Sequence, residues 1–359
     1  MDQIWWNHII KAHAFLENVV KEAAGGHSLL LALPDSVPWK STFLDLIREQ
    51  LLMENPKNKL EVIECPEEEP GEFILQKYCK RETRAKYRYG VSYAQFLGKC
   101  QETVLNDRYV WVSDIPDEKV TKWLDFVSEY QKNVQDKTPG IFILEVHNDA
   151  MNRKSKKGIR SLGFEQNIGA YDKYAFCALA SSETNCKEFL RPYLAEAVAS
   201  VCGDDVELCA VCVAKGMEFL PYETIQKVTE ELVRSDGERY CFSKSQEEVD
   251  TLLWEAQLKY VFPLVENYRR YFVKKYYDFI KAALPINNGY GDQVMVPEEA
   301  ELGNLMYLVE RGGIPVSAEE SMELKRYRKA RNELAHMNLL SNEELCVILK
   351  AGKHKTASD

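Results

Sequence analysis

The sequence predicts an α/β domain followed by an all-α domain, and three observations indicate this fold class. Short apolar runs alternate with amphipathic helical segments in the first half of the chain. Strand patterns fade after about residue 184, and helical patterns fill the remainder. Hydrophobic residues make up 45% of the 359 residues, which is enough for more than one core. We therefore expect a parallel sheet flanked by helices over 1–183, a helical lid or connector over 184–240 and a helical bundle over 241–359.

The first half contains the predicted strands. Each is a short apolar run bounded by turn residues, which is typical of buried strands. Gly25 and Gly26 end the first predicted helix, and Pro34 to Pro38 form a loop. We predict strands at 27–33, 60–65, 109–114, 140–145 and 174–180, helices at 3–24, 40–53 and 118–134, and a helical or mixed segment at 73–105.

The second half is predicted to be helical. Its longest segment is rich in aromatic residues and contains Pro263, where we expect the helix to break. Gly312, Gly313 and Pro315 separate two later helices. We predict a small lid at 186–234, the long segment at 243–284, a loop at 285–291 and helices at 298–311, 317–337 and 343–350.

The bulk properties favour a cytoplasmic protein. No apolar run approaches the roughly 18–20 residues that span a bilayer, so we expect no membrane contact. Ten cysteines lack the spacing of a disulfide framework, which fits a reducing compartment. The net charge of −10 means that any RNA contact must come from a local basic patch. Cys209 and Cys212 could form a zinc site with Cys202 and Cys241. The apolar residues around them favour buried thiols without a metal.

One strand, loop and helix are ordered as in a phosphate-binding loop. The strand at 27–33 leads through Pro34–Trp39 into a helix that begins with Lys40, Ser41 and Thr42. In such a loop, backbone N–H groups surround the phosphates, lysine neutralises their charge and a hydroxyl holds Mg²⁺. Here proline and tryptophan replace the two expected glycines, and each proline removes an N–H donor.

With two acids at strand ends, this half of the chain resembles the core of an AAA+ type NTPase. The resemblance implies that Lys40, Ser41 and Thr42 bind ATP and Mg²⁺, that Asp114 is the second metal-binding acid and that Glu145 lies near a sensor position. Because the loop departs from the pattern, we favour a scaffold that has lost its nucleotide and binds a protein partner. In that case Lys40 is solvated or ion-paired, and Asp114 caps a helix.

The most informative motif lies in the predicted helix 317–337. Arg331, Asn332 and His336 stand in the string RNELAH, followed two residues later by an apolar pair. This string resembles the active motif of HEPN-domain ribonucleases, and residues 251–272 resemble the first long helix of such a domain. The resemblance covers about the last 110 residues. It implies a helical domain that cleaves RNA.

The residue types of the motif suit metal-independent RNA cleavage. His336 can act as a general acid or base, because its reference pKa is about 6.5. Arg331 can hold a phosphate and stabilise developing charge, and Asn332 can orient either group. Asn332 and His336 are four residues apart and share a helix face, whereas Arg331 lies roughly 140° from His336. The two therefore converge only if the arginine bends or a second copy supplies one of them, and HEPN relatives pair across a two-fold dimer.

Basic residues surround the motif in an otherwise acidic chain. We predict that Lys325, Arg326, Arg328 and Lys329 contact RNA. Three further groups of residues could take part in RNA binding or catalysis, but we favour a structural role for each. They are Glu266 as a surface acid or a support for Arg331, the aromatic run 268–279 as core, dimer interface or a base-stacking surface, and Arg153–Lys157 as a solvated loop.

We therefore predict a homodimeric, metal-independent RNA endonuclease with a regulatory pseudo-NTPase domain and no cofactor for the nuclease. The RNA would supply its own 2′-hydroxyl as the nucleophile and leave a 2′,3′-cyclic phosphate. Such a pairing of domains resembles bacterial toxins and anti-phage defence effectors, an analogy at the level of the fold. The alternatives are a catalytically silent dimeric adaptor in a defence complex and a genuine ATPase with an unusual loop.

Overall fold

The chain forms two compact units. A computed structural model of the protein describes residues 1–88, 90–100, 105–134, 139–147, 156–164, 169–203, 205–287 and 293–356. The first unit comprises Met1–Phe176 with Arg234–Glu238, and the second comprises Cys177–Val233 with Arg239–Asp359. Most of the predicted connector 184–240 therefore belongs to the second unit. Within the described ranges, no helix is long and apolar enough to cross a lipid bilayer.

The first unit is built on a five-stranded parallel sheet. Its central strands are buried along nearly their whole length, as expected for a sheet covered by helices on both faces. The elements are β1 (Ser28–Leu33), β2 (Lys59–Glu64), β3 (Arg108–Ile115), β4 (Ile141–His147) and β5 (Ile159–Gly163), with α1 (Asp2–His8), α2 (Ile10–Ala24), α3 (Lys40–Glu54), α4 (Pro70–Tyr78), α5 (Arg81–Ala85), α6 (Tyr93–Lys99), α7 (Asp117–Asn133) and α8 (Ala170–Ser182), which continues past the unit boundary.

The strand order places one pair of strands at a topological switch point. The order across the sheet is β2-β3-β4-β1-β5, with every pairing parallel. From β1 the chain moves to the far edge at β2, whereas from β4 it crosses β1 to reach β5. The chain therefore leaves these two neighbours in opposite directions. In open parallel sheets, a crevice forms at the carboxyl ends of such a pair.

Apolar side chains cover both faces of this sheet. On one face, Val110 and Phe142 belong to a buried cluster that includes Trp123 of α7. On the other face, the Phe43 ring lies 4.5 Å from the ring of Trp6 and 6.2 Å from that of Trp111, measured between centroids. Burying each such side chain stabilises the fold by about 1.5–3 kcal/mol. The two layers fix the residues at the carboxyl ends of the strands.

The predicted α/β architecture is confirmed, with three corrections to its elements. The strand predicted at 174–180 is wrong, because these residues lie in α8. An apolar run of that length satisfies a buried helix as well as a strand. The predicted helix 3–24 is two helices, with Ile9 extended between them. The strand β5 was not predicted, and its short, partly polar sequence gives little strand signal.

The second unit is almost entirely helical. A 30-residue helix, α12 (Gln246–Lys275), lies at its centre and packs against α9 (Arg191–Cys202), α15 (Ala318–Ala335) and α16 (Asn342–Thr356), among other elements. The elements are α9 (Arg191–Cys202), α10 (Val206–Lys215), α11 (Tyr222–Glu231), α12 (Gln246–Lys275), α13 (Tyr277–Ala282), β6 (Ile286–Asn287), β7 (Gln293–Val294), α14 (Leu302–Glu310), α15 (Ala318–Ala335) and α16 (Asn342–Thr356).

The break predicted at Pro263 is wrong, because α12 continues through it. Pro263 is exposed, so water can satisfy the carbonyl that loses its helical N–H partner. On the opposite side of the helix, Val261 and Val265 are buried. Tyr268 stacks on Tyr327 of α15 with ring centroids 4.1 Å apart. This packing outweighs the local cost of the proline and fixes α15 against α12.

The start of α15 contains a carboxylate whose ionisation stabilises the fold. Glu320 and Ser317 form a capping box, and Glu320 also accepts hydrogen bonds from Lys275 and from the Tyr276 hydroxyl. The hydrogen bond from Lys275, followed by that from the Ser317 backbone, lowers the pKa of Glu320 from 4.5 to about 2. Its stabilising contribution is therefore present above pH 4.5 and is lost as the pH falls towards 2.

We expect Glu320→Gln to lower the free energy of unfolding at neutral pH by less than about 1 kcal/mol, because the site is near solvent. The deficit relative to wild type should shrink as the pH falls from 4.5 to 2, since wild type then loses the same interaction. Thermal unfolding of both proteins across this range measures the effect. Exposed Glu319 provides the control, as Glu319→Gln. A deficit that stays constant with pH would contradict this account of Glu320.

Candidate functional site

An open groove in the second unit brings together part of the RNELAH motif. The groove has a volume of about 790 Å³. The α15 residues of its lining form what we call the α15 wall and the α14 residues the α14 wall, and residues of β6, β7 and the turn before α14 complete the lining. We call it the α14–α15 groove, and it is lined by Ile286, Asn287, Val294, Glu299, Glu301, Leu302, Gly303, Asn304, Tyr307, Glu310, Arg328, Arg331 and Asn332.

Three motif-helix residues form the α15 wall. Arg331 and Asn332 follow Arg328 by three and four residues and therefore share its side of the helix. The buried residues Tyr327, Ala330 and Leu334 hold the other side of α15 in the core. Arg331 Nη1 lies 3.5 Å from Asn332 Oδ1, a weak contact that leaves most donors of the guanidinium free to bind a ligand. The fold thus brings predicted catalytic and RNA-binding residues into one depression.

The basic side chains of α15 differ in their availability. Lys325, Arg326, Arg328 and Arg331 are exposed, and in the part of the chain that the structure describes none of them forms an ion pair. Lys329 instead pairs with Glu344 at 2.6 Å, and the hydrogen bond and charge of Glu344 raise the pKa of Lys329. Of the five basic residues on α15 near the motif, four are thus open to an anionic ligand.

His336 lies at the end of α15, outside the described lining of the groove. The helix ends at Ala335 and His336 is its exposed C-cap, whose backbone N–H still donates to the Asn332 carbonyl at 3.1 Å. Trp254 Nε1 donates to the Leu334 carbonyl at 2.8 Å, which anchors this turn to α12. Met337 then adopts a left-handed conformation, with φ of +59°. The imidazole is therefore accessible on an anchored turn.

The α14 wall is the part of the site that sequence reasoning missed. Gly303, Tyr307 and Glu310 follow one face of α14 at spacings of four and three residues. A Cβ atom added to Gly303 would meet nothing within 4 Å, so the groove is open beside it. The amphipathic pattern of α14 indicates a helix, but nothing local in the sequence pairs it with α15.

A second cluster lies at the switch point of the first unit, where the resemblance to an NTPase core predicts a nucleotide site. Lys40 Nζ contacts Glu145 Oε1 at 2.5 Å and Asp114 Oδ1 at 3.6 Å. Trp111 Nε1 donates to the other oxygen of Glu145 at 2.6 Å. The Glu145 side chain is 5% exposed, whereas that of Asp114 is 65% exposed. Three predicted residues therefore come together, but as an ion-pair cluster.

The pKa values reflect the burial of this cluster. Burial alone would lower the pKa of Lys40, but the hydrogen bond and charge of Glu145, with those of Asp114, raise it. Burial raises the pKa of Glu145, against the opposing effect of the hydrogen bonds from Lys40 and Trp111. A carboxylate oxygen 2.5 Å from Lys40 Nζ favours the charged form of the lysine, which agrees with its raised pKa. The ammonium group is therefore charged at neutral pH.

The other predicted nucleotide-binding residues also have protein surroundings. Thr42 Oγ1 donates to Asp2 Oδ2 at 2.8 Å, and Ser41 is exposed. The loop is fixed by Trp6 Nε1, which donates to the Pro38 carbonyl at 3.0 Å. Trp39, at the position of an expected glycine, has a left-handed conformation with φ of +44°. Glycine adopts this conformation most readily, so the loop bends here at a residue that carries a large side chain.

The remaining candidates have structural surroundings. Glu266 pairs with Arg269 and Arg270 of its own helix and not with Arg331. Within the aromatic run, Tyr268, Phe272 and Tyr276 are buried, and Tyr271, Tyr277 and Phe279 are exposed. Most of Arg153–Lys157 lies outside the described residues.

The four cysteines of the zinc hypothesis do not share one environment. Cys202, Cys209 and Cys212 are buried, and Cys241 is exposed. Hydrogen bonds with Cys209 and Cys212, together with burial, raise the pKa of Cys202 well above its usual value. Among the described residues, no group of three or more His, Cys, Asp or Glu side chains is arranged to hold a metal ion.

Comparison with known proteins adds no assignment. No protein-family model matches the chain, and no curated protein sequence matches it. The residues and geometry of the two clusters described above are therefore the basis for a functional proposal.

Proposed function

We propose that the protein is a metal-independent RNA endonuclease of HEPN type and that its first unit is a regulatory pseudo-NTPase. The observation that carries the proposal is the meeting of Arg328, Arg331 and Asn332 in one open groove, one turn before an exposed histidine. Guanidinium groups bind phosphate through paired donors, and their exposure here leaves them free to do so. The resemblance of RNELAH to the HEPN motif gives these residues their proposed roles.

In the proposed reaction, the substrate supplies the nucleophile. His336 removes the proton from a ribose 2′-hydroxyl or donates one to the departing 5′-oxygen. Arg331 stabilises the charge that develops on the phosphate, and Arg328 holds the neighbouring backbone. Asn332 orients the Arg331 guanidinium through the contact between their side chains. The products are a 2′,3′-cyclic phosphate and a free 5′-hydroxyl, and no metal enters the reaction.

A two-fold dimer is part of this proposal. Within one chain, Arg331 lines the groove and His336 follows the end of the helix, so the two side chains do not share a helix face. A symmetric dimer that pairs the ends of α15 would set His336 of one copy against Arg331 of the other. The exposed turn at His336 leaves room for such an approach.

The geometry of the first unit supports a role without nucleotide. Lys40 is already neutralised by Glu145 and Asp114, and Thr42 is bound to Asp2. A phosphate at this loop would have to draw Lys40 away from the buried Glu145 carboxylate, and leaving a buried charge without its partner costs about 3–5 kcal/mol. We propose that this unit binds a protein partner and regulates the nuclease, as in toxin or defence systems with paired domains.

Blocking the groove tests the proposed RNA path without removing a charged residue. We expect Gly303→Trp to lower cleavage of total RNA in EDTA on the order of 100-fold, because the indole fills the depression and displaces the phosphate. Stability should be retained, since the position is open and helical. Glu343→Trp is the matched control, at the second residue of α16 and equally exposed. Cleavage by Gly303→Trp at the wild-type rate would exclude this groove as the RNA site.

A further inference from the structure

The α14 wall carries groups that suit a nucleobase better than a phosphate. Together with Arg328 and Arg331 of α15, Tyr307 and Glu310 of α14 line the groove. A carboxylate on this side repels phosphate, so the backbone of an RNA strand is confined to the arginine side. The base attached to that backbone is then directed away from the arginines, and the α14 wall is the part of the lining that offers an aromatic ring.

Tyr307 provides an aromatic surface at the right place. Its side chain is 43% exposed and lines the groove. The Arg311 guanidinium lies over the ring, 4.5 Å from its centroid, and restricts its movement. Unpaired bases of RNA stack on tyrosine rings, whereas bases inside a duplex are not accessible to them. A base that stacks on Tyr307 would therefore have to be unpaired.

Glu310 provides the polar recognition. It is exposed on the same helix face as Tyr307, and among the described residues it forms no ion pair. Two other carboxylates line the groove, but the Glu301 side chain caps α14 and Glu299 lies in the turn before that helix. A carboxylate accepts two hydrogen bonds from neighbouring donors. Guanine alone among the four bases presents an N1–H and an N2 amino group side by side on its Watson–Crick edge, whereas uracil places carbonyl oxygens beside its single N–H.

We propose that the α14–α15 groove selects a guanine base in single-stranded RNA. Tyr307 stacks on the base, Glu310 accepts its N1 and N2 hydrogen atoms, and the arginines hold the adjacent phosphate. Cleavage then falls next to guanosine. This inference rests on the proposed nuclease function and adds the substrate preference of that site.

The test uses short uridine strands with one central guanosine, adenosine, cytidine or inosine, incubated with the full-length protein in EDTA. Wild type should cut beside guanosine about tenfold faster than beside the other bases, inosine included because it lacks the N2 amino group. Glu310→Gln should remove the preference for guanosine. Tyr307→Ala should slow cleavage of every strand about tenfold, and Tyr307→Phe should restore it. Glu343→Gln is the matched control with an exposed carboxylate elsewhere.

The outcomes separate this inference from the proposed function. Cleavage with no preference among bases, or a preference that survives Glu310→Gln, overturns the guanine proposal and leaves the nuclease standing. No cleavage of any strand overturns the nuclease itself. Binding of the same strands to His336→Ala protein, measured by fluorescence anisotropy, reports the preference without catalysis and should rank guanosine first. Equal binding of all strands overturns base selection by the groove.

Discussion

Replacing His336 with alanine is expected to lower RNA cleavage by a factor on the order of 10²–10⁴, the usual contribution of a general acid or base. Arg331→Ala should cost on the order of 10²–10³, because it removes the donors that stabilise the charged phosphate. Both side chains are exposed, so neither change should lower stability by more than about 0.5 kcal/mol. Initial rates on total RNA in EDTA, together with thermal unfolding, measure the two effects.

The matched control for these variants is Arg326→Ala. Arg326 is an exposed arginine of the same helix that lies outside the described lining of the groove. Arg326→Ala should weaken binding to RNA uniformly and reduce cleavage much less than Arg331→Ala.

Mixing the His336→Ala and Arg331→Ala proteins tests whether two copies share a site. If each site takes Arg331 from one copy and His336 from the other, the mixture should regain roughly a quarter of wild-type activity. No recovery on mixing would contradict a shared site.

Replacing Lys40 with methionine is expected to destabilise the first unit by about 3 kcal/mol, because it leaves the buried Glu145 carboxylate without its cation. Among the described residues, Glu145 would retain the hydrogen bond from Trp111 and the repulsion of Asp114. Unfolding in urea, followed by tryptophan fluorescence, measures the change. Five of the six tryptophans lie in the first unit, so the signal reports chiefly on it.

A second variant shows whether the loss comes from the unpaired charge. Lys40→Met combined with Glu145→Leu removes both ions and should recover most of the stability, since an apolar pair often replaces a buried ion pair at little cost. Arg48→Met breaks an exposed pair with Asp45 and should change stability by less than about 1 kcal/mol. If Lys40→Met were as stable as wild type but lost binding of a fluorescent ATP analogue, Lys40 would be a nucleotide ligand and the pseudo-NTPase proposal would fail.

The sequence predicted the sheet wherever burial leaves a continuous apolar run. Strands β1, β3 and β4 are such runs, and their bounds agree with the prediction to within two residues. Residues 174–180 show the limit of this signal, because an apolar run fits a buried helix equally well. Pro263 shows another limit. A proline is tolerated inside α12 because it faces water, and exposure is decided by packing and not by local sequence.

The site was predictable only where its residues are local in sequence. The spacing of Arg328, Arg331 and Asn332 requires a common helix face, and the groove contains all three. The opposite wall depends on how α14 packs against α15, so nothing in the sequence pairs Tyr307 with these residues. The end of α15 at Ala335 was also unpredicted, because no glycine or proline marks it and the anchor is Trp254, 80 residues earlier in the chain.

The central claim is that Arg331 and His336 act together on one RNA phosphodiester without a metal. The most direct measurement is the chemistry of the new 3′ ends after incubation of RNA with the protein in EDTA. Wild type should leave 2′,3′-cyclic phosphates, which resist phosphatase until acid opens the ring, and His336→Ala and Arg331→Ala should leave none above background. New ends that are equally abundant with His336→Ala, or 3′-hydroxyl ends that appear only when Mg²⁺ is present, would contradict the claim.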